Sequence, residues 1–272
     1  MKVGVLGLGH MGLPIARFLH QREHEVFSWS RTHSQYPWAH SKYTESIADH
    51  RLDYLVVASG KARPRIGDLK LEIESTIDLI PNLISRTETK ILYLSSGAVY
   101  GECLTPKREI DPVNPVTSYG NLKALVEKKF EDVFPNRFSA LRIGNVIDSE
   151  NPYGILALAQ RAKQVGSLDL FGNSYDCRDY VAVDDLKSMV TTIIESNLEG
   201  KVFNLGSGIS ISLGDFEETL LSILPHLVIK WNPPRESDLS RTQLDVSRIC
   251  TLAGISPVDP KITLKAFLNN KK

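Results

Sequence analysis

The chain has 272 residues, 42% of them hydrophobic, and its 32 basic side chains balance 32 acidic ones, so the formal net charge is zero. This length can bury the core of one large or two small domains, and the neutral balance excludes bulk electrostatic binding to nucleic acid or to an anionic membrane. No apolar run approaches the roughly 20 residues of a membrane span. The first strand begins at Lys2, so we expect no signal peptide and a cytoplasmic protein.

The cysteines of this sequence indicate neither disulfide bonds nor a metal site. The three cysteines are widely spaced and form no CxxC pair, so we predict neither a disulfide framework nor a metal cluster (Cys103, Cys177 and Cys250).

Short apolar strands alternate with amphipathic helices over the first half of the chain. We predict strands at 2–6, 25–30, 52–59, 90–96 and 138–143, and helices at 11–22, 69–85 and from Tyr119 to about Phe130. Strands that are apolar throughout and alternate with helices indicate a parallel sheet covered on both faces. The expected fold class is therefore α/β, with a Rossmann-like, doubly wound parallel sheet.

The composition of the sequence changes after Arg142, since the segment 145–178 is rich in Asn, Gly and Pro. The patterns that follow predict helices at about 154–165, 184–195, 213–224 and 245–253, and strands at 178–183, 201–206 and 226–231. We predict a doubly wound domain over 1–145, onto which 179–206 packs back. A small mixed α/β lobe would consist of 146–178 and 207–272.

A glycine turn joins the first strand to the first helix. Gly7, Gly9 and Gly12 match the pattern G-x-G-x-x-G. One such glycine makes the turn, one lets a pyrophosphate approach the backbone, and one lets helix and strand pack closely. The helix N-terminus then faces the phosphates. We predict a dinucleotide site at this turn, to which further residues of the turn and residues at the end of the strand at 52–59 also contribute: His10, Met11, Ala58, Ser59 and Gly60.

The end of the second strand indicates which dinucleotide binds. An acidic residue there would hydrogen-bond the ribose hydroxyls of NAD, but the sequence has Ser30, Arg31 and Thr32. Arg31 can hold a 2′-phosphate with its planar guanidinium, so we expect NADP(H) in preference to NAD(H). The alternative is that Arg31 is an ordinary solvated side chain.

Two motifs, YLSSGAVYG at 93–101 and YGNLK at 119–123, resemble the extended short-chain dehydrogenase/reductase family, which includes the NAD(P)-dependent epimerases and dehydratases of nucleotide sugars. The resemblance continues through NPVTSYGNLK at 114–123, LRIGN at 141–145, RDYVAVDDL at 178–186, VFNLGSG at 202–208 and PRESDL at 234–239. It implies an NAD(P)-dependent oxidoreductase. The doubly wound domain would bind NADP, and the smaller lobe would bind the substrate.

Three residues are predicted to be catalytic. On a helix, positions i and i+4 share one face, which puts Lys123 beside Tyr119. A free tyrosine has a pKa of about 10 and a nearby ammonium lowers it, so Tyr119 can act as general acid for ketone reduction or as base for alcohol oxidation. Lys123 would also hold the nicotinamide ribose. The resemblance aligns Ser96 with a catalytic Ser/Thr that orients the substrate oxygen, and strand alternation points Ser95 to the opposite face.

The resemblance also implies a nucleoside-diphosphate sugar, linked to dTDP, UDP or GDP, as substrate. Four polar residues match positions that hold the diphosphate or the nucleoside: Asn145, Arg178, Arg235 and Asp238. Phe171 lies where a loop of the family packs on the base. The arginines could instead form surface ion pairs, and the other two polar residues could cap turns. The family also allows a homodimer.

Departures from the family pattern narrow the choice of reaction. Sugar-nucleotide dehydratases carry an Asp-Glu pair after the catalytic Ser/Thr, whereas Gly-Ala follows Ser96 at 97–98. Glu72 or Glu74 stands where the family usually has an Asn. We predict an NADPH-dependent reductase of a 4-keto-6-deoxysugar nucleotide, a step of deoxysugar biosynthesis. A nucleotide-sugar 4-epimerase with bound NAD(P) and a non-catalytic NADP-binding sensor are the alternatives.

We expect Arg31→Ala to weaken NADPH binding by about 10- to 100-fold, because a charge-assisted contact to the 2′-phosphate contributes about 1.5–3 kcal/mol. NADH lacks this phosphate and serves as the control ligand. Titrating both reduced cofactors by their fluorescence checks the prediction, and an unchanged NADPH affinity would contradict it.

Overall fold

The computed structural model describes residues 1–30, 39–40, 47–60, 80, 84, 87–198, 202–235 and 239–270. The chain divides into two compact units. The first consists of Met1–Ser96, Tyr119–Arg142 and Lys187–Phe203, and the second consists of Gly97–Ser118, Ile143–Leu186 and Asn204–Lys272.

The strands of the described ranges, numbered in chain order, are β1 Lys2–Leu6, β2 Glu25–Trp29, β3 Ala39–His40, β4 Tyr54–Val57, β5 Lys90–Ser96, β6 Phe138–Ile143, β7 Asn145–Ile147, β8 Ser167–Phe171, β9 Cys177–Ala182, β10 Val202–Leu205, β11 Ser210–Ser212 and β12 Val228–Asn232. The α-helices of the same ranges are α1 Gly12–Gln21, α2 Ser118–Val133, α3 Ile155–Val165, α4 Val183–Glu195, α5 Leu213–Ile223, α6 Ser247–Ala253 and α7 Pro260–Asn269. Short 3-10 turns occupy Ile47–His50 and Gly97–Tyr100.

A seven-stranded sheet has the order β10-β6-β5-β4-β1-β2-β3. The pairs from β3 through β2, β1 and β4 to β5 are all parallel. From β1 the sheet continues through β2 and β3 on one side and through β4, β5 and β6 on the other. The β1/β4 pair is therefore a topological switch point, where ligands bind beyond the carboxyl ends of the strands. The predicted Rossmann-like α/β fold is confirmed.

The core of the first unit lies between this sheet and its helices. Every residue of β4 is buried, and β5 is buried except at its two ends. Phe130 of α2 contacts three other aromatic rings edge-on, with centroids 5.6–6.1 Å apart (Tyr93, Phe134 and Phe138). The predicted helix at 69–85 falls outside the described residues except for Ile80 and Ile84, which are helical and buried.

The second unit contains a three-stranded sheet, β11-β9-β7, and a parallel pair, β12-β8. Its apolar core comes mainly from α3, α5 and α7 and includes Leu156, Phe216 and Leu264. Gly97–Ser118, predicted within the first domain, belongs to this unit, because its backbone bonds to residues much later in the chain: the Cys103 N–H donates to the Arg241 carbonyl at 3.0 Å.

Four elements of the second unit were not predicted: β7, β8, β11 and α7. The three strands are only three to five residues long, and β8 pairs with β12 about 60 residues away. The polar–apolar alternation of β8 is a local strand signal, but it covers only five residues. The start of α7 does carry a signal, because Asp259 caps the helix by accepting from the Lys261 N–H at 2.8 Å and Pro260 follows it.

We expect Phe130→Ala to lower the free energy of unfolding by about 3–5 kcal/mol, because it leaves a cavity among buried rings. Leu125→Ala on the same helix is the control, since Leu125 is 48% exposed and should change stability by less than about 0.5 kcal/mol. Urea denaturation measures both variants, and equal losses would contradict this description of the core.

Candidate active site

The glycine turn after β1 has three positions with different steric demands. Gly7 adopts a φ of +97°, and its N–H donates to the Trp29 carbonyl at 2.8 Å. A Cβ at Gly12 would lie 1.9 Å from the Gly7 carbonyl oxygen, so only glycine lets α1 approach β1 this closely. A Cβ at Gly9 would meet no atom within 4 Å. The turn thus has a tight corner, a close contact and an open position.

The first turn of α1 offers backbone donors to a ligand. Its N-cap residue, Met11, makes no side-chain capping bond. Uncapped N–H groups at a helix N-terminus beside an open glycine suit a phosphate. The residues present therefore fit the pyrophosphate of a dinucleotide, and His10 and Met11 are half-buried next to it.

Residues after β2 and β4 lie at the same carboxyl edge of the sheet. Ser30 follows β2 and is 6% exposed. The Ala58 N–H donates to the Leu6 carbonyl at 2.9 Å, which holds the loop of Ala58, Ser59 and Gly60 beside the end of β1. Arg31 and Thr32, on which the NADP preference depends, lie outside the described residues, as do Glu72 and Glu74.

Tyr119 and Lys123 meet as the helical spacing predicts. Lys123 is 4% exposed, and its Nζ lies 5.6 Å from the centroid of the Tyr119 ring. The same Nζ lies 4.7 Å from the Tyr93 ring centroid and donates to the Leu94 carbonyl at 3.1 Å. Lys123 thus joins the start of α2 to β5, whose last residue is Ser96. The catalytic roles of these residues stay predictions.

Ser95 and Ser96 differ in burial as strand alternation predicts. Ser95 is 2% exposed and donates to Glu127 Oε1, whereas Ser96 is half-buried at the strand end. Glu127 also accepts from the Arg142 Nη2 at 2.8 Å. Glu127 was not singled out in the sequence, although its position four residues after Lys123 puts both on one helical face.

In the second unit, two predicted substrate residues meet directly. The Arg235 guanidinium lies over the Phe171 ring, 4.0 Å from its centroid, and both side chains are exposed. Asn145 and Arg178 lie on the neighbouring strands β7 and β9. Asn145 donates to the Asp179 carbonyl at 3.3 Å, and Arg178 donates to the Cys177 carbonyl at 3.0 Å. The fifth predicted residue, at position 238, lies outside the described residues.

A match to a sequence model of a protein family shows which family the chain belongs to. The model for the NAD dependent epimerase/dehydratase family matches residues 3–206. The chain belongs to this family. The match confirms the predicted family, and the relatives named below include a reductase and an epimerase.

Two curated relatives of this chain are named for different reactions. A dTDP-4-dehydro-6-deoxyglucose reductase of Escherichia coli is 27% identical over 196 residues, which are 68% of this chain and 62% of that protein. A UDP-glucose 4-epimerase of Mycolicibacterium smegmatis is 29% identical over 180 residues, which are 62% of this chain and 57% of that protein. The chain thus spans less than two thirds of the length of either relative.

Solved structures agree with the fold along nearly the whole chain. A UDP-glucuronic acid 4-epimerase of Bacillus cereus, in complex with UDP-glucuronic acid and NAD, superposes with a TM-score of 0.86 at 18% identity, covering 99% of this chain and 98% of that one. A UDP-glucose 4-epimerase of Thermus thermophilus, in complex with NAD, gives 0.85 at 19% identity, covering 99% and 98%. At this identity the likeness shows the fold alone.

Two classes of feature are lacking in the part of the chain that the structure describes. No helix there is long and apolar enough to cross a bilayer. Within the same residues, no cluster of three or more His, Cys, Asp or Glu side chains is arranged to hold a metal ion.

A buried carboxylate joins several segments of the second unit. Asp179 of β9 is fully buried; its Oδ1 accepts from the Ser207 N–H at 3.0 Å and its Oδ2 from the Leu244 N–H at 3.1 Å. A Cβ at Gly206 would lie 2.7 Å from Oδ1, so glycine is needed beside it. Burial raises the pKa of Asp179 to about 6, although these N–H donors oppose the rise. Sequence reasoning missed Asp179, which stands between Arg178 and a tyrosine in the RDY motif.

We expect the stability contributed by protonated Asp179 to be lost as pH rises from about 4 to above 6. The folded state binds the proton more tightly than the unfolded state, whose aspartate has a pKa of about 4. The free energy of unfolding of the native protein should therefore fall by about 2–3 kcal/mol relative to Asp179→Asn over this range. Chemical denaturation of both proteins at several pH values measures it, and parallel stability curves would contradict it.

Proposed function

We propose that this member of the epimerase/dehydratase family is an NADPH-dependent reductase that converts the ketone of a nucleoside-diphosphate 4-keto-6-deoxysugar into a hydroxyl group. The observation that carries the proposal is the contact of Lys123 with Tyr119, 5.6 Å from Nζ to the ring centroid, beside the strand that ends in Ser96. A phenol next to an ammonium is suited to donate a proton near neutral pH.

The cofactor would lie along the carboxyl edge of the first-unit sheet. The open position at Gly9 and the uncapped first turn of α1 suit its pyrophosphate. Ser30, with Arg31 and Thr32, would face the adenosine ribose and its 2′-phosphate, and Lys123 would hold the nicotinamide ribose. When bound, the cofactor supplies a hydride to the ketone carbon.

The chain's own residues would handle the ketone oxygen. Ser96 donates a hydrogen bond that polarises the carbonyl group. Tyr119 transfers its phenolic proton to the same oxygen as negative charge develops there, which yields the hydroxyl group of the product. The Lys123 ammonium stabilises the phenolate that remains, and solvent returns a proton to Tyr119 before the next turnover.

Residues of the second unit would bind the nucleotide. Phe171 offers an aromatic face, and the Arg235 guanidinium over it adds a cation and a planar surface. Asn145, Arg178 and Asp238 would contact the diphosphate or the nucleoside. The relative named dTDP-4-dehydro-6-deoxyglucose reductase supports a sugar nucleotide of this class.

Reduction is favoured over elimination by the residues that follow Ser96. A dehydratase needs an acid and a base there, but the chain has Gly97 and Ala98. A Cβ at Gly97 would lie 3.2 Å from the Leu244 Cδ2, so an acidic side chain would crowd a buried leucine. These positions support a reaction that requires only hydride and proton transfer.

A nucleotide-sugar 4-epimerase is the second candidate, because one curated relative has that name and two superposing structures are epimerases with NAD. The two functions differ in stoichiometry. A reductase oxidises one added NADPH per ketone reduced. An epimerase interconverts two sugar nucleotides on a retained cofactor and consumes none.

The test incubates the purified chain with NADPH and dTDP-, UDP- and GDP-linked 4-keto-6-deoxysugars, and separately with UDP-glucose and no added cofactor. We expect NADPH oxidation with a keto-sugar nucleotide. Formation of UDP-galactose without NADPH loss would favour the epimerase instead, and no reaction in either assay would contradict both proposals.

Tyr119→Phe should lower kcat by about 10²- to 10⁴-fold, because it removes the proton donor. Cofactor affinity should stay nearly unchanged, since Lys123 and the glycine turn remain. Tyr54→Phe is the matched control: this buried tyrosine starts β4 at the opposite edge of the sheet, where its hydroxyl donates to Asn197 at 2.9 Å. Full activity of Tyr119→Phe in steady-state assays would refute the assignment.

A further inference from the structure

Helix α2 presents three ionisable side chains to the sheet, each one turn after the last. Tyr119, Lys123 and Glu127 stand at positions i, i+4 and i+8, so they lie along one face of the helix. The first two belong to the proposed catalytic machinery. Glu127 has no role in that chemistry, yet it is 8% exposed and fully engaged with polar partners.

Successive turns of α2 hold successive residues of β5. The Lys123 Nζ donates to the Leu94 carbonyl at 3.1 Å. One turn later, Glu127 Oε1 accepts from the Ser95 hydroxyl. Lys123 therefore holds the carbonyl group of Leu94, and Glu127 holds the side chain of the residue that follows it, Ser95. The next residue along the strand is Ser96.

Arg142 balances the charge of Glu127 from the neighbouring strand β6. Its Nη2 and Nε donate to Glu127 Oε2 at 2.8 and 3.2 Å, and its Nε also lies 3.3 Å from Oε1. Both side chains are buried. A buried pair of this kind adds little net stability over apolar side chains of similar volume, because desolvation offsets the attraction. Its presence beside Lys123 is better explained by the geometry that it imposes.

We propose that Ser95, Glu127 and Arg142 are positioning residues that fix Lys123 against Tyr119 and orient Ser96 at the end of β5. The inference rests on the proposed function, because it assigns these residues to the same reaction. They hydrogen-bond to one another and would act only through Lys123 and Ser96. Loss of the Ser95–Glu127 bond would free the Leu94 carbonyl to shift and carry the Lys123 amine with it.

The charged and titratable groups around Lys123 set the expected pH effect. Tyr93 faces it from β5, Tyr119 and Glu127 from its own helix, and Arg142 approaches from β6 through Glu127. An ammonium that moves away from Tyr119 stabilises its phenolate less. The alkaline limb of the kcat profile, where Tyr119 loses its proton, should then move to higher pH.

The test compares Ser95→Ala with Ser139→Ala, since Ser139 is also a buried serine (1% exposed) and lies near the amino end of the adjacent strand β6. We expect Ser95→Ala to lower kcat by about 5- to 100-fold, with the KM for NADPH changed by less than about two-fold. The alkaline limb of its kcat profile should move to higher pH by about half a pH unit or more. Ser95→Thr keeps the hydroxyl and should restore most of kcat, and Ser139→Ala should leave kcat and its pH profile unchanged.

Equal effects of Ser95→Ala and Ser139→Ala, or an unshifted pH profile in Ser95→Ala, would overturn the inference. If the native protein itself reduces none of the keto-sugar nucleotides, the proposed function fails. The inference is then decided by ¹³C NMR of protein labelled at lysine Cε. The Lys123 signal, assigned through its loss in Lys123→Arg, should be displaced by the two neighbouring rings and should move toward the exposed lysines in Ser95→Ala. An unmoved signal would overturn the inference without any assay of activity.

Discussion

The contact between helix α2 and strand β5 is the interaction on which the proposed chemistry depends. Lys123 donates to the Leu94 carbonyl and Glu127 accepts from Ser95, so two turns of the helix are fixed to the last residues of the strand. Because Tyr119 lies one turn before Lys123, this attachment also sets the distance between the phenol and the ammonium. A buried pair of charge-assisted hydrogen bonds with Arg142 keeps the Glu127 side chain oriented.

The sheet of the first unit provides a second constraint at the same edge. Its strand order changes direction at β1 and β4, the point at which sheets of this kind bind ligands beyond the carboxyl ends of the strands. The glycine turn lies at this point, with close contact at Gly12 and open space at Gly9. Backbone donors of α1 and the proposed tyrosine–lysine pair are thus carried by rigid elements of one sheet, which suits precise positioning.

The second unit uses a different device to hold its polar residues. Asp179 accepts from backbone N–H groups of two segments that are distant in sequence, and glycines at 144 and 206 make room for it. Its own carbonyl accepts from Asn145, and Arg178 precedes it on β9. The buried carboxylate therefore joins β9 to the segments at Ser207 and Leu244, while the backbone of the same residue accepts from Asn145 of β7. Its raised pKa, caused by burial, makes this junction sensitive to pH.

Local patterns in the sequence were sufficient for the parallel sheet, the glycine turn and the pairing of Tyr119 with Lys123. Each of these depends on neighbours within one strand, one turn or one helical repeat, and such periodicities are visible in the chain. The family resemblance added Ser96 and the substrate residues. The structure brings Arg235 onto Phe171, although 63 residues separate them, and this could not be read from any local pattern.

Only the tertiary structure showed the partners of Glu127, Arg142 and Asp179. In the sequence Glu127 resembles any charged helix residue, because its partners lie 32 residues before it and 15 after it. The short strands β7, β8 and β11 were missed for the same reason, since their hydrogen-bond partners come from distant segments. A sequence records which side chains are periodic along one element, whereas the burial of a charge depends on which elements fold around it.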